Sequence, residues 1–492
     1  MLAPAPSLPS ARFLLGVVVL LLLGSTARAA PGDTGIGEES SPGSLDLTRA
    51  MEIALENNFD RRISREQVRA AEARVTETRG ALLPQVEVDV TYLRNREEAP
   101  AVQAGSAPRE SADLALQASQ VLFNDRQLST FRSSQEQRTA ARASDEAVRL
   151  DVLESAGRAY VEYLSVRSSL RIAEDNLRIT RENLEIARIR NEVGTVGPEE
   201  VLRFESEEAQ QESELFRVRS LLHSAANRLN RALGLAPDTE WELTDLDLES
   251  AVFRTSLGIL LPSPEESEGS TQSWRSLRRA SIDASLARSP ELASLRSSAE
   301  GQRILLNERR RSFFVPDLTA SADYGYNLDA DYTTTGRERD KESWTVRLTA
   351  SLPLFEGLSR VGEVRGALAG LRQISWEEAR LRQEKAIEIS DSLAALQSSR
   401  RSIALSRIAA ERAEANLTIV QDKYEQGTVS IVDLLDAQNN ALVQRQNASI
   451  ELYRFLQDLL RFQRALGWFE PVADEESRAR IASRFQLPGE DS

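Results

Sequence analysis

The stretch WTVRLTASLPLF at residues 344–355 decides the fold. Its apolar residues alternate with polar ones, so a β-strand here would have one apolar face and one largely polar face. Upstream, PDLTASADYGYN at 316–327 alternates in the same way, and the two stretches are expected to pair as a hairpin. Strands of a soluble sandwich also alternate, so a single hairpin does not distinguish a lipid-facing sheet from a soluble one.

The same arrangement occurs twice in the chain. Pro84 and Pro316, 232 positions apart, each precede an alternating stretch and its alternating partner. We predict strands at 84–94 and 112–123, and again at 316–327 and 343–355. The apolar positions of these strands are the candidate lipid-facing residues: Val86, Val88, Val90, Tyr92, Leu318, Tyr324, Val346 and Leu348.

The predicted strands are too few to close a membrane barrel. Each has about the length of one tilted bilayer crossing, roughly 9 to 11 residues. The smallest membrane barrels need about eight strands, and open strand edges are not tolerated in lipid, where unpaired backbone groups cost several kcal/mol each. If these strands span a membrane, several copies of the chain must share one barrel.

Outside the strands the apolar period is helical. Apolar residues between Tyr163 and Ala187 step by three and four, which is typical of a coiled-coil seam. A second file, from Ile172 to Val193, steps by seven and predicts neighbours on two sides, as in a ring of helices. A solitary helical-hairpin bundle is the alternative. We predict long helical hairpins at 125–233 and 358–466.

Further landmarks recur at a spacing one residue longer. Gly427-Thr428 follows Gly194-Thr195 by 233 positions, and both pairs lie where a helical hairpin is expected to turn. Duplication therefore predicts a twofold internal repeat of a β-hairpin and a long coiled-coil helical hairpin. The first repeat is placed at 47–234 and the second at 277–467. The connector at 235–276 has no sustained period apart from a small strand expected near 241–248, and the charged tail at 468–492 is expected to be loosely held.

The N-terminus has the pattern of an export signal. Arg12 precedes an apolar run at 13–24 and the small-residue sequence Ala27-Arg28-Ala29. The run is shorter than the about 20 residues of a membrane-spanning helix. We predict a signal peptide at 1–29 and a flexible linker, rich in Gly, Ser and Pro, at 30–46.

Composition excludes several classes of function. The 492 residues carry a net charge of −15, no cysteine and one histidine, His223. The negative charge argues against a nucleic-acid partner, and the lack of cysteine excludes disulfides and thiolate metal sites. No cluster of His and carboxylates has metal spacing, and no nucleophile constellation is found, so a secreted enzyme lacks support. We predict no enzyme activity and no cofactor.

The residues resemble the TolC-like outer-membrane efflux family. The stretches that carry the resemblance are LTRAMEIALENN, GALLPQVEVDVTY, SQVLFNDRQ, LPLFEGLSR, GTVSIVDLLDAQ and two ALG helix ends. The resemblance implies a mainly α protein with a small β part, which forms a homotrimer with a shared 12-stranded β-barrel and a periplasmic α-barrel. Such a protein lies in the outer membrane and extends into the periplasm.

The resemblance also implies a function and partners. Proteins of this family are exit ducts of tripartite efflux pumps or type I secretion systems. The expected partners are outer-membrane lipid, a periplasmic adaptor (membrane fusion) protein and an inner-membrane transporter. A soluble periplasmic coiled-coil adaptor or scaffold is the alternative, although an adaptor should have one helical hairpin rather than two.

Site residues follow from the same resemblance. GTVSIVDLLD looks like a periplasmic gate, with Asp433 and Asp436 in an acidic ring, Tyr424 at the constriction and Glu200 as the gate acid of the first repeat. The helix tips that would dock the adaptor are Gly194, Thr195, Gly427 and Thr428. For Asp433, a helix-capping role with Ser430 has equal weight.

Two positions depart from the family pattern. Val429 stands where other members carry an Arg that locks the gate, and Asn124-Asp125 stands where the second repeat has Gly357. The first departure leaves the locking contact open, and the second weakens the match between the two repeats at the start of the long helix.

Overall fold

Long helices make up most of the chain in the computed structural model, which describes residues 44–246, 271–331 and 341–476. The prediction of a mainly α protein with a small β part is confirmed. The predicted signal peptide, most of the linker, much of the connector and the end of the tail lie outside the described residues. The elements are β1 (Ser44–Leu45), α1 (Leu47–Asn57), α2 (Phe59–Gly80), β2 (Gln85–Arg94), α3 (Pro100–Gln103), β3 (Glu110–Phe123), α4 (Asp125–Glu192), α5 (Pro198–Leu233), β4 (Glu242–Leu243), α6 (Thr271–Arg288), α7 (Pro290–Arg311), β5 (Asp317–Asp331), β6 (Glu342–Ser351), α8 (Ser359–Glu425) and α9 (Ile431–Leu466).

The four long strands form one antiparallel sheet in the order β2-β3-β5-β6. The hairpins of the two repeats are joined because β3 pairs with β5 over most of its length. The strands β2 and β6 are the edges of this sheet within the described residues. Each edge strand is 10 residues long and leaves a row of backbone groups unpaired in one copy.

One face of the sheet is apolar and the other is polar. Opposed residues of antiparallel strands place their side chains on the same face. The row Val88, Leu116, Tyr324 and Trp344 therefore crosses all four strands on one face, and the row Glu87, Gln117, Asp323 and Thr345 crosses them on the other. Of the candidate lipid-facing residues, all are exposed except Leu318. Leu318 is half-buried because it opposes Phe123 at a β-bulge, next to the helices.

The long helices lie side by side in a row. α4 and α8 have 68 and 67 residues, which corresponds to about 100 Å each at about 1.5 Å per residue. Near the sheet the row is α2-α4-α7-α8, and farther away it is α5-α4-α9-α8. α5 and α9 have only 36 residues each, so α2 and α7 continue the row beyond their ends.

The largest core lies where these shorter helices meet. It contains Leu45 from β1, Met51 from α1, Leu153 and Tyr160 from α4, and Phe462 from α9, all nearly or fully buried. The Tyr160 hydroxyl lies 2.8 Å from the Leu45 carbonyl oxygen and 2.7 Å from that of Thr244, and so attaches the β1–β4 strand pair to α4.

Two expectations about this region are wrong. Ser44 and Leu45 were expected to belong to the flexible linker, yet they pair with Glu242 and Leu243, because Leu45 is fully buried in the core. The tail was expected to be loosely held from residue 468, yet Trp468 and Phe469 are buried. The apolar pair outweighs the charged residues that follow it.

Bounds also differ in the connector and the strands. α6 begins at Thr271, before the predicted start of the second repeat at 277. β3 begins two residues earlier than predicted, β5 ends four residues later, and β6 ends at Ser351 rather than at 355. Among the described helices, no stretch combines the length and apolarity that a membrane-spanning helix requires.

Candidate functional site at the hairpin tips

Both helical hairpins turn through the same backbone motif. Gly194 and Gly427 each have φ of +73°, a conformation that favours glycine. The backbone N–H of Thr195 donates to the Arg190 carbonyl at 2.9 Å, and that of Thr428 donates to the Lys423 carbonyl at 2.9 Å. The threonine hydroxyls donate to the same carbonyls. The four residues predicted as helix tips therefore cap the C-termini of α4 and α8.

Tyr424 joins the two hairpins. It lies in the last turn of α8 and is fully buried, and its hydroxyl donates to the Glu200 carboxylate of α5 at 2.8 Å. Its ring meets the Phe204 ring edge-on, with centroids 6.2 Å apart. Burial, and then the hydrogen bond to Glu200, raise the pKa of Tyr424 well above its usual value, so the hydroxyl stays protonated and donates.

Arg190 holds Tyr424 from the other side. The Arg190 guanidinium lies over the Tyr424 ring, with its central carbon 4.6 Å from the ring centroid. Its Nη1 donates to the Tyr424 carbonyl at 2.9 Å, at the C-terminal end of α8, where a cation is favourable. Arg190 and Glu200 flank the turn of the first repeat, so this turn holds a side chain of the second repeat between a cation and an anion.

Arg190 and Phe204 are not among the site residues predicted from the sequence. The repeat offset of 233 positions makes Asn191 the equivalent of Tyr424, and Arg190 immediately precedes Asn191. The sequence therefore indicated that Arg190 lies at the tip of the first hairpin. Val429 is partly buried against the same apolar cluster as Tyr424 and offers no charge. Arg190 is therefore the cation that the structure places at Tyr424.

A layer of buried amides lies between α4, α8 and α9, farther from the tips. The Gln438 side chain donates to Thr180 at 2.7 Å and to Asn176 at 3.2 Å, and accepts from Asn183 at 3.2 Å. Gln421 donates to Asn183 at 3.3 Å. Asn176, Thr180, Asn183 and Gln438 are all buried. We call these residues with Gln421 the amide layer.

The two candidate ring acids do not join the Tyr424 contacts. Asp433 is exposed and forms a capping box, in which it accepts from the Ser430 backbone at 3.0 Å and its own N–H donates to the Ser430 hydroxyl at 3.3 Å. The Ser430 side chain, and then its backbone N–H, lower the pKa of Asp433. Asp436 is exposed one turn farther along α9. The structure therefore shows the capping role of Asp433, and the acidic ring stays a prediction.

The two repeats begin their long helices differently. Asn124 caps α4, and its side chain accepts from the Gln127 N–H at 2.8 Å. In the second repeat Gly357 and Leu358 both have positive φ, 59° and 68°, and no side-chain cap is present at α8. The departure at Asn124-Asp125 is therefore an exchange of one helix start for another. Within the described residues, no group of three or more His, Asp or Glu is placed to hold a metal ion.

A β-hairpin joined to a long helical hairpin occurs twice in the described residues, and the two β-hairpins form one sheet with an apolar and a polar face, which defines a two-repeat fold. The chain belongs to the outer membrane efflux protein family, whose model matches residues 50–235 and 281–468. The predicted family is confirmed, and with it the broad function of outer membrane efflux. The soluble adaptor is not favoured.

Solved structures share this fold. The outer membrane channel CmeC of Campylobacter jejuni is 17% identical with a TM-score of 0.69, and the match covers 93% of this chain and 95% of that chain. The outer membrane protein VceC of Vibrio cholerae is 18% identical with a TM-score of 0.67, and the match covers 86% of this chain and 96% of that chain. The open state of the MtrE outer membrane channel of Neisseria gonorrhoeae is 16% identical with a TM-score of 0.66, and the match covers 90% of this chain and 96% of that chain. No curated protein sequence matches the chain.

Proposed function

We propose that three copies of this chain form the exit duct of a tripartite efflux pump or a type I secretion system. The observation that carries the proposal is the four-stranded sheet, which has one apolar face, one polar face and, within the described part of the chain, two unpaired edges. Such a sheet is unsatisfied in lipid unless its edges are paired. Three copies joined edge to edge, β6 to β2, would give twelve strands and leave no edge.

The proposed membrane orientation follows from the two faces. The apolar face, with Val88, Tyr324 and Val346, would contact outer-membrane lipid, and the polar face would line a water-filled lumen. The helices would continue the lumen across the periplasm. Export through the predicted signal peptide at 1–29 agrees with this location.

We place the periplasmic gate at the hairpin tips. The contacts of Tyr424 with Glu200 and Arg190 hold the tip of the second hairpin against that of the first. Separation of the two tips would break these contacts and expose Tyr424. The turns at Gly194, Thr195, Gly427 and Thr428 would dock a periplasmic adaptor, which connects the duct to an inner-membrane transporter.

The proposal is tested on protein purified from outer membranes in mild detergent. We expect the mass of three copies and stepwise conductance in planar lipid bilayers. A monomeric mass without conductance contradicts the proposal. Fractionation separates the alternative, since a soluble adaptor would be released in the periplasmic extract.

The acidic ring has its own experiment. Asp433→Asn combined with Asp436→Asn should weaken block of the conductance by a trivalent cation, because three copies would lose six carboxylates near the axis. The control is Asp433→Glu with Asp436→Glu, which keeps the charges. Equal block in both double variants would remove these residues from the ring.

A further inference from the structure

A group of arginines lies on the exposed face of α6. Arg275, Arg278 and Arg279 are spaced by three and four residues, so they lie on one side of the helix, and all three are exposed. Together with Ser276 and Ile282 they line a cavity of about 350 Å³. We call the three arginines the α6 arginine cluster.

No acid within the described residues neutralises this cluster. None forms an ion pair with the three arginines, and this includes Asp283, which is exposed one turn beyond Arg279. On the next helix, α7, Arg303 has an acidic partner one turn away, Glu300. Like charges one turn apart repel each other, so the cluster has a cost in helix stability that an anionic partner would remove.

The first repeat has no equivalent of the cluster. Asn58 and Ser289 each cap the following helix, and this equivalence aligns α1 with α6 at an offset of 231 positions. α1 has 11 residues and α6 has 18, so α6 is longer by about two turns at its N-terminal end. Arg275 lies in this extension. The alignment places Leu47 and Thr48 at the other two positions of the cluster, so the charge is specific to the second repeat.

The cluster lies about half-way along the long helices. The other side of α6 packs into the largest core through Leu277 and Ala284, and the same core contains Leu153 and Tyr160 of α4. These two residues follow Asp125, the first residue of α4, by 28 and 35 positions, and α4 has 68 residues. The cluster is therefore far from both the sheet and the hairpin tips.

In the proposed duct, α6 lies on the outer surface. α1 contacts α4 and α5, α6 contacts α8 and α9, and both short helices contribute to the same core. They therefore add a second layer to one side of the row of long helices. On the inside of a closed ring this layer would obstruct the passage, so it lies outside, where the cluster faces the periplasm.

We propose that the α6 arginine cluster binds the carboxylates of peptidoglycan where the duct passes through this polymer. The inference rests on the proposed duct, since a protein that crosses the periplasm must pass the peptidoglycan layer. The stem peptides of peptidoglycan carry free carboxylates, and the arginine guanidinium suits carboxylates because it donates two parallel hydrogen bonds.

The charge of the whole chain restricts where this contact can form. With a net charge of −15, most of the surface repels an anionic polymer. The cluster is a local exception at one height, and three copies would present three such clusters around the duct. Peptidoglycan bound there would hold the duct at a fixed level in the periplasm.

Co-sedimentation of the full-length protein, in mild detergent, with purified peptidoglycan sacculi tests the proposal. The wild type should sediment with sacculi at low salt and be released as the salt concentration rises, because exposed ion pairs are screened. Arg275→Gln combined with Arg278→Gln and Arg279→Gln should weaken binding about tenfold, since each exposed ion pair contributes a factor of about two to five. Sacculi whose carboxylates have been converted to amides should bind the wild type as weakly.

The matched control removes the same charge elsewhere. Arg49→Gln combined with Arg178→Gln and Arg217→Gln replaces three exposed arginines, each of which pairs with a glutamate of its own helix. This control should bind sacculi like the wild type. The mass in detergent and the thermal midpoint verify that both triple variants fold, since exposed substitutions cost little. Equal binding by the wild type and the α6 triple variant refutes the proposal.

The acidic sequence at 265–268, shortly before α6, is the competing occupant. Glu265→Gln combined with Glu266→Gln and Glu268→Gln should leave binding to sacculi unchanged. Binding that appears only in this variant would assign the cluster to the acidic sequence and overturn the proposal. A conducting trimer that does not bind sacculi refutes the peptidoglycan contact and leaves the duct intact. A monomer without conductance that still binds sacculi through the cluster refutes the duct alone.

Discussion

The tips of the two helical hairpins have the same backbone conformation but different side chains. Both turns use a glycine at φ +73° and the same pair of threonine hydrogen bonds. At equivalent positions, 233 apart, the side chains differ in role: Asn191 donates to Val196 within its own turn at 3.0 Å, whereas Tyr424 crosses to the other hairpin. Other equivalent pairs are Arg190 with Lys423, Glu200 with Asp433, and Phe204 with Ala437.

This difference shows how a duplicated scaffold acquires a cross-contact. In the first repeat, Arg190, Glu200 and the Phe204 ring contact Tyr424. In the second repeat, the equivalent Lys423 is exposed, Asp433 caps its own helix, and Ala437 stands in place of Phe204. The turn geometry therefore defines the hairpin, and the unequal side chains define which hairpin holds the other.

The largest effect is expected for Tyr424→Ala. Removal of a fully buried ring leaves a cavity and should cost about 3–5 kcal/mol of local stability. Hydrogen exchange at 417–424 and 200–211 measures this loss as faster exchange. The equivalent Asn191→Ala loses one local hydrogen bond and should cost about 1 kcal/mol. Equal effects of the two variants would end the distinction between the tips.

A smaller effect is expected for Arg190→Gln. It removes the cation above the Tyr424 ring and should cost about 1–2 kcal/mol. In planar bilayers the variant should spend more time in the open state than the wild type. Lys423→Gln is the matched control and should stay within about 0.5 kcal/mol, because its side chain is exposed. Unchanged gating in Arg190→Gln would remove Arg190 from the gate.

Gly194→Ala and Gly427→Ala test the shared backbone. Each places a Cβ in the left-handed region and should cost about 1 kcal/mol in its own turn, with similar values for both. Thermal unfolding and hydrogen exchange of the two turns provide the comparison. A markedly greater cost at Gly427 would instead implicate its neighbour Arg190, whose Nη2 would lie 3.6 Å from the new Cβ.

The smallest effects concern the equivalent acids. Glu200→Gln keeps an oxygen that accepts from Tyr424 and should change gating little.

Hydrogen bonds from Ser430 lower the pKa of Asp433, so its cap contributes fully above the ordinary carboxyl pKa and is lost as pH falls through the lowered value. The contribution of Asp433 to the thermal midpoint should therefore be constant around neutral pH and should decrease only in acid. A difference between wild type and Asp433→Asn that grows from pH 5 to pH 8 would contradict this.

The fold class and the family could be predicted from sequence because they depend on repeated patterns. Alternation in strands, heptads in helices and the 233-position offset each recur, so chance agreement is small. The contacts of Arg190 and Phe204 could not be found in this way, because they join side chains of different repeats. The burial of Leu45 and Trp468 was missed for a similar reason, since their partners are distant in the chain.

The amide layer has a consequence for assembly. Helices with a seven-residue repeat can slide past one another by one heptad and still match apolar residues. Such a slip would place Ala173 or Ala187 of α4 where Thr180 now accepts from Gln438, and the loss of this buried hydrogen bond should cost about 1–3 kcal/mol. The amide layer therefore favours one register of α9 on α4. In that register the tips of the two helical hairpins lie at the same level.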